Sequence, residues 1–490
     1  MTHHSASKKA FRMGEGKKGC RRSLMPSSKN ALFLLLSSFL YFPGRRGAAA
    51  AFAPARSRYR AAVRSSAIPT LRSVSSDDGP DSECQQLLGR RETLTRVAAA
   101  AVASATDLRI FSPPEIANAD DEMSNGEPVS FGASWSAADG LRSSDGSFVT
   151  FDLSAYKAMR DDPSRTPYFR RALTERLNAS PGGPESASVL DLGTGPFALF
   201  AILAAEAGAG KVYAIESDPE CARNARALIK KSGWSDVITV LEGFSTNVTL
   251  PNDDRVDVVV AEIVGSVASE EGAYATISDA HARFVKEPND PASWIPNRIQ
   301  TYAAPASYTL HNMFGPPDFD WNKLNGEPVR FNCRDEGLQL LSDPVLLEDI
   351  SFADISRATQ SAEKKAALSF EIDARRMEKN EGSLYANLRS GQLPEEQATA
   401  MAKATAHSFS GIAFWPRLVL DKGGSIVVNT RTYPEGGHQR SHWQTVLPIC
   451  SERPIGDLKG GEKVVVSANF ELSDSVTKSS LYNLKGQVFV

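Results

Sequence analysis

Two glycines in a turn, and an acid one strand later, are the first residues of this 490-residue chain whose types and spacing could hold a ligand. Val189 to Leu192 form an apolar run that meets Gly193-Thr194-Gly195 and then a helical stretch. Glycine at both places lets the backbone turn sharply and approach a ligand where a Cβ would collide. Glu216 closes the next apolar run, 23 residues after Gly193. A carboxylate there can accept both hydroxyls of a ribose. Turn and acid together read as a nucleoside site at the carboxyl ends of parallel strands. They also satisfy a loose Gly-x-Gly-x-x-Ala form, so these residues alone leave NAD and S-adenosylmethionine both open.

The elements that must carry this turn alternate. Strands are predicted over Ser188–Leu192, Lys211–Glu216, Ile238–Glu242 and 256–262, with helices over 197–207 and 220–232. Strand–helix alternation of this kind reads as right-handed βαβ units on a parallel sheet. A polar helix is predicted before them, over 155–177. From about Pro296 the pattern changes to strand-like runs between turns, over 299–304, 411–420, 425–430, 445–449, 463–472 and 487–490, which reads as a mainly antiparallel β domain. A charged, helical segment over about 352–406 interrupts it.

The charge is divided along the chain. Residues 1–75 carry 15 Lys/Arg and one acid, Glu15, so the rest of the chain is acidic although the formal net charge is only -3. An acidic body argues against a duplex-binding surface and suits a cationic partner. The five cysteines form no CxxC pair, and no metal site is expected. The apolar run over 31–42 is too short for a membrane span, which takes about 20 residues, and suits a signal core, so no stable membrane anchor is expected. The junction from Ala51 to Pro54 and the basic, Ala/Ser-rich stretch behind it resemble the two-part leader of secondary plastids. An ordinary secretory signal is the alternative. Arg90-Arg91 before an Ala/Val run, with Ala117-Asn118-Ala119 beyond, reads either as a twin-arginine thylakoid signal or as a linker helix.

Val258 to Ala261 lead into Glu262, and the stretch up to Gly272 contains Glu270 and Glu271. This segment resembles the double-glutamate loop of protein arginine methyltransferases, where two glutamates nine positions apart grip the substrate guanidinium. Glu262 and Glu271 have that spacing, and Gly272 follows as in the monomethylating branch. Four further segments agree in order. Met159 to Arg165, followed by Tyr168-Phe169, is similar to the family's N-terminal helix. Gly243 to Pro251, with Ser245 and Thr246, is similar to the loop beside the adenine. Trp294 to Arg298 matches the strand that closes the sheet. Ser441-His442-Trp443 is close to the Thr-His-Trp loop that reaches back from the β-barrel. Two departures stand out: Phe197 replaces a third glycine, and Ser441 replaces threonine.

The resemblance implies an α/β fold, a Rossmann-like doubly wound methyltransferase sheet followed by a mainly antiparallel β-barrel domain. The expected organisation is a leader (1–75), a linker with the twin-arginine segment (76–146), an S-adenosylmethionine-binding domain (147–296) and a barrel substrate domain (297–490). It implies Glu262, Glu271, His442 and Asp162 as catalytic residues. It implies Met159, Arg165, Asp191, Gly193, Gly195, Glu216, Ser245 and Thr246 at S-adenosylmethionine, and Trp443 at the substrate. Met159 would lie by the sulfonium and Arg165 on the cofactor carboxylate. Alone, a strand-end Glu, a His or a Trp would read as structural, and order and spacing set that aside here. Glu270 reads as a solvated acid.

The chemistry agrees with the residue types. A guanidinium has a pKa above about 12 and resists deprotonation. Two carboxylates can hold its planar fork and push positive charge away from the nitrogen that attacks. The implied partner is an Arg-containing protein, with no nucleic acid, and the family implies a dimer. The expected place is a plastid, in the stroma or, with the twin-arginine signal, the thylakoid lumen. The competing readings are a non-catalytic scaffold on the same fold, an NAD-linked Rossmann enzyme and a small-molecule methyltransferase.

Overall fold

A computed structural model describes residues 128–136, 151–316, 319–324, 327–355, 363–432, 441–475 and 478–490. The leader and the twin-arginine segment lie outside the described residues. The described chain opens with strand β1 (Val129–Ser136), helix α1 (Leu153–Asp161) and helix α2 (Thr166–Asn178). A first alternating series follows: β2 (Ser188–Leu192), α3 (Leu199–Glu206), β3 (Lys211–Glu216), α4 (Pro219–Lys231), β4 (Ile238–Glu242), β5 (Val258–Ala261), α5 (Ala273–Arg283) and β6 (Trp294–Ile295). The strands form a five-stranded parallel sheet in the order β4-β3-β2-β5-β6. The order reverses between β2 and β5, which is where an open sheet of this type makes its ligand crevice.

The parallel strands were legible because they are apolar on both faces. Val212 to Ile215 and Val258 to Ala261 are all buried, as strands covered by helices on each side must be. Helix α4 carries its own signals. Asp218 caps its first turn by accepting from the Glu220 and Cys221 amides, Pro219 opens it, and Lys230 and Lys231 close it.

The single helix expected over 155–177 is two. Pro163 disfavours the helical region for the residue before it, and Asp162 takes an extended backbone (φ -67°, ψ 111°). The break turns Asp162 to Arg165 inward, and both of these residues are buried.

The second half contains β7 (Arg298–Tyr308), α6 (Thr309–Met313), β8 (Val329–Asn332), β9 (Leu338–Leu340), β10 (Val345–Ser351) and β11 (Glu363–Glu371). Helices α7 (Ala374–Ser390) and α8 (Glu395–Ala406) come next, then β12 (Gly411–Val419), β13 (Val427–Asn429), β14 (Gln444–Leu447), β15 (Lys463–Glu471) and β16 (Leu481–Phe489). All pairings here are antiparallel, in one sheet ordered β10-β7-β12-β14-β8 with β9 and β13 attached, and another ordered β1-β16-β15-β11. The two meet across aromatic contacts, Trp135 on Phe414 at 6.0 Å and Phe131 on Phe409 at 5.5 Å, to make a curled, barrel-like body.

Three expectations about extent are corrected. Val129–Ser136, inside the stretch read as linker, is a full strand of the barrel, with Phe131 and Trp135 turned to the core on alternate positions. The segment read as a helical insertion begins as strand β11, which pairs along β15, and only Ala374 onward is helical. The final strand begins at Leu481 rather than Gln487. The α7–α8 hairpin has a small core of its own in Leu384, Ala402 and Ala406.

If β1 belongs to the core as these contacts indicate, Trp135→Ala should cost about 3–5 kcal/mol in urea unfolding. A loss below about 1 kcal/mol would detach that strand from the fold.

Candidate active site

The turn at Gly193 to Gly195 sits at the carboxyl end of β2. Both glycines have positive φ, +73° and +64°, and a Cβ would meet Ile263 Cγ2 at 3.3 Å in the first case and the Tyr156 ring at 3.4 Å in the second. Glu216, at the end of β3, reaches across. Its Oε2 accepts from the Gly195 amide at 2.8 Å and its Oε1 from the Asp218 amide at 2.8 Å. Burial pushes the Glu216 carboxyl up, against the pull of those amides. Asp191 is fully buried. Its Oδ2 accepts from the Thr194 hydroxyl and the Ala201 amide, while its Oδ1 has no hydrogen-bond partner. Burial pushes Asp191 up to about 7.

The paired register of β2 and β5 sets Leu192 beside Ala261, so Gly193 and Glu262 leave the sheet at neighbouring strand ends. Glu262 does not stand alone there. Arg165, delivered by the Pro163 break, donates from Nε at 2.7 Å and from Nη2 in a shorter contact, both to Glu262 Oε2. Both side chains are 5% exposed. Arg165 Nη1 also donates to the Met159 carbonyl at 3.0 Å, which ties α1 to the pair. Its guanidinium lies over the Phe200 ring at 4.8 Å.

His442 approaches from the barrel. Its Nδ1 lies 2.9 Å from Asp162 Oδ2, its backbone amide donates to the same oxygen, and its Nε2 lies 3.9 Å from Glu262 Oε2. Ser164 donates to Asp162 Oδ1 through both hydroxyl and amide. Burial works against the Asp162 charge, but the bonds from His442 and Ser164 outweigh it and hold the carboxyl below its ordinary range. An ionised Asp162 requires the imidazole proton on Nδ1. Burial, with Arg165 nearby, lowers the His442 pKa, so the ring is neutral and turns a lone pair at Nε2 toward Glu262.

Glu271 completes the group. Loss of hydration first, then the charges of Glu262 and Glu270, pushes it up to about 8, against Arg165 and Arg330. At neutral pH it keeps its proton, and Glu262 is the acid that Arg165 bonds.

Several roles differ from expectation. Trp443, expected at the substrate, is 3% exposed and donates its ring N–H to the Val264 carbonyl at 2.8 Å. It bonds the acid loop at that carbonyl, and its ring lies against the His442 ring at a tilt of 41°. Glu270 is not solvated: it is buried, bonded to the Val267 amide and held by both ends of the Arg330 guanidinium. Arg165 meets Glu262 in this structure, and Glu216 meets backbone amides. Ser245 and Thr246 lie in a single turn after β4, where the Ser245 carbonyl is bonded by Arg283 of α5. Phe197, at the missing third glycine, is covered by Arg160 of α1 at 4.8 Å. The sequence reading missed Tyr156, Glu270, Arg330 and Ser164. Of these only Ser164 carried a signal, as the partner of Asp162 across Pro163.

A family model described as ribosomal protein L11 methyltransferase (PrmA) matches residues 176–272. Arginine N(omega)-methyltransferase of Streptomyces achromogenes subsp. streptozoticus is 40% identical over 316 residues, 63% of this chain and 74% of that one. The chain belongs to the protein arginine methyltransferase family. Another member, protein arginine N-methyltransferase 7 of Gallus gallus, is 30% identical over 200 residues, 40% of this chain and 27% of that one. The chain spans less than half the length of the first curated relatives it matches. Among solved structures of the family, Arabidopsis thaliana protein arginine methyltransferase 10 aligns with a TM-score of 0.48 at 18% identity, over 68% of this chain and 93% of that one.

The Glu271 shift gives a signed expectation. Below its ordinary value of 4.5 both folded and unfolded chains hold the proton. As pH rises the unfolded chain ionises first, so this contribution to stability drains away until about 8 and is gone above it. The melting temperature of Glu271→Gln relative to the parent should therefore climb across that window, by about 3 °C or more, and then level off. A flat difference between pH 4.5 and 8 would contradict the shift.

Proposed function

We propose that this chain transfers a methyl group from S-adenosylmethionine to a guanidinium nitrogen of a protein arginine, with Glu262 and Glu271 as the guanidinium clasp. The observation that carries the reading is the meeting of Glu262, Arg165, His442 and Asp162 at one strand end beside the glycine turn. The nucleoside side fits as well. Both glycines of the turn hold positive φ, which strains any residue with a Cβ, a Cβ at Gly193 would also crowd Ile263, and Asp191 has a buried oxygen that lacks a partner. Asp191, Gly193, Gly195 and Glu216 would hold the cofactor, with Met159, Arg165, Ser245 and Thr246 at its edges. S-adenosylmethionine, when bound, supplies a methyl group on a positively charged sulfur.

The protein's own part follows from its charges. Arg165 places both of its bonds to Glu262 on Oε2, so Oε1 is the oxygen that receives a substrate N–H. A guanidinium entering beside Glu271 favours the ionised carboxyl, which then takes the other side of the fork. Two carboxylates on one face hold the cation planar and fixed, and that alignment supplies much of the rate. Once methylated, the nitrogen must shed a proton. His442, neutral and anchored on Asp162, receives it at Nε2.

A second reading concerns the form in which arginine arrives. The Streptomyces relative, 40% identical, is named for arginine rather than for a protein arginine. Free arginine offers the same guanidinium to the same pair of acids. The acidic body outside the leader favours a cationic protein partner, and the family resemblance adds a dimer. The leader supports delivery to a plastid, into the stroma or, through the twin-arginine segment, the thylakoid lumen. Fusion of residues 1–127 to a fluorescent reporter tests that address.

Purified protein with S-adenosylmethionine should methylate an arginine-rich peptide, and Glu262→Gln should lower kcat by at least about a hundredfold. Full activity in that variant would refute the assignment. Transfer to L-arginine but not to the peptide would favour the second reading.

A further inference from the structure

We propose that Arg330 of β8 is a positioning residue for the acid loop, acting through Glu270 to fix where Glu271 points and to balance the charge around it. The inference rests on the arginine-methylation reading of the site.

The bond is the bidentate kind that fixes direction as well as distance. Arg330 Nη1 lies 3.0 Å from Glu270 Oε2 and Nη2 lies 2.6 Å from Oε1. The Glu270 side chain is 3% exposed and that of Arg330 21%. Around this carboxylate the loop closes on itself. Val267 donates its amide to Glu270 Oε2, and Glu270 donates its own amide to the Val267 carbonyl at 2.9 Å. Gly265 passes so near that a Cβ would stand 2.6 Å from Glu270 Cβ. Glu271 is the next residue. With its neighbour clamped at both carboxylate oxygens, the backbone that aims Glu271 has little freedom left.

Strand β8 suits the task because of its period. Residues two apart on a strand share a face, as Arg330 and Asn332 do, and Arg334 follows in the turn just past the strand; each reaches a different part of the site. Arg330 holds the acid loop, Asn332 donates to the Ser441 carbonyl beside His442, and Arg334 donates to Ser164, which bonds Asp162. One edge of the barrel thus braces the acid loop, the His442 loop and the Asp162 turn together.

The charged groups that face Glu271 are Glu262 from β5, Glu270 from its own loop, Arg165 from the α1–α2 junction and Arg330 from β8. Glu270 raises the Glu271 proton affinity and Arg330 lowers it. Removing either partner alone should therefore move Glu271 in opposite directions, and removing both should restore it while still cutting the tether. The opposite signs report the two charges; a lost kcat in the double variant, whose pH window matches the parent's, reports the positioning.

The test uses the full chain with Glu270→Gln, Arg330→Met and the double variant, each with and without Glu271→Gln, melted across pH 4 to 9.5. The Glu271-dependent stability window should end at lower pH in Glu270→Gln, at higher pH in Arg330→Met, and near the parent's in the double variant. With S-adenosylmethionine and an arginine-rich peptide, kcat should fall by about tenfold or more in all three while KM for S-adenosylmethionine holds. The acidic limb of kcat/KM should move with the melts. Arg330→Lys, which keeps the charge but not the fork, should recover the pH window and only part of kcat. Should Arg330→Met fail to fold, Glu270→Gln and the double variant, which leave no buried carboxylate unpaired, decide the question. Identical windows in all variants, or an unchanged kcat, would overturn the proposal. A parent chain that methylates neither peptide nor L-arginine would instead defeat the functional reading, and the melts would still judge the pair.

Discussion

The buried pair between Arg165 and Glu262 is the constraint on which the rest of the site depends. Both side chains are almost out of water. Each ion alone would cost several kcal/mol to bury, so neither can leave without stranding the other. The pair therefore joins two segments far apart in sequence, the break between α1 and α2 and the end of β5. It also sets the charge pattern around it. With Glu262 bonded by Arg165, Glu271 is the acid pushed up to about 8, and His442 Nε2 lies 3.9 Å from Glu262. On the proposed function, such a site suits a flat cation, because an incoming guanidinium would relieve the repulsion between the acids.

The second requirement is that the two halves of the chain agree on the site. The parallel sheet supplies the glycine turn and Glu262. The barrel supplies His442, and it supports the acid loop through Trp443 on the Val264 carbonyl and through the barrel residue Arg330 on Glu270. A further buried contact, Ser269 with Tyr482 at 2.9 Å, holds the same loop from β16. Thr301 of β7 bonds the Ala268 amide and, at 2.8 Å, Glu348 of β10. The loop between Glu262 and Glu271 is thus fastened at residues 264, 268, 269 and 270. That is more than a surface loop needs, and it suits a loop whose task is to present a carboxylate at a fixed angle.

How much of this could be read from sequence depended on whether the signal was local. The parallel strands were placed to the residue at β2, β3 and β4; β2 and β3 are buried apolar runs, and β4, at the sheet edge with only Ile238 buried, was read from its place in the strand–helix alternation. Order and spacing singled out Arg165, Glu262, His442 and Asp162, which the structure brings into contact. What remained hidden was what one segment does to another. Pro163 was present in the sequence, but its effect, turning Asp162 and Arg165 inward, appears only when the chain folds back. Glu270 looked like a surface acid beside Glu271, because its partner Arg330 lies sixty positions away in a strand too short and mixed to be noticed. Strand β1 alternates Phe131, Ala133 and Trp135, yet it lies in a stretch that otherwise reads as leader and linker.

The most direct test is to count protons when a guanidinium binds. An arginine-rich peptide can be titrated calorimetrically at pH 7 into the protein with S-adenosylhomocysteine, in buffers of different ionisation enthalpy. The expected result is release of about one proton per peptide bound, as Glu271 gives up the proton it holds up to about 8, and none in Glu271→Gln. Binding with no proton release in the parent protein would contradict a paired-acid clasp.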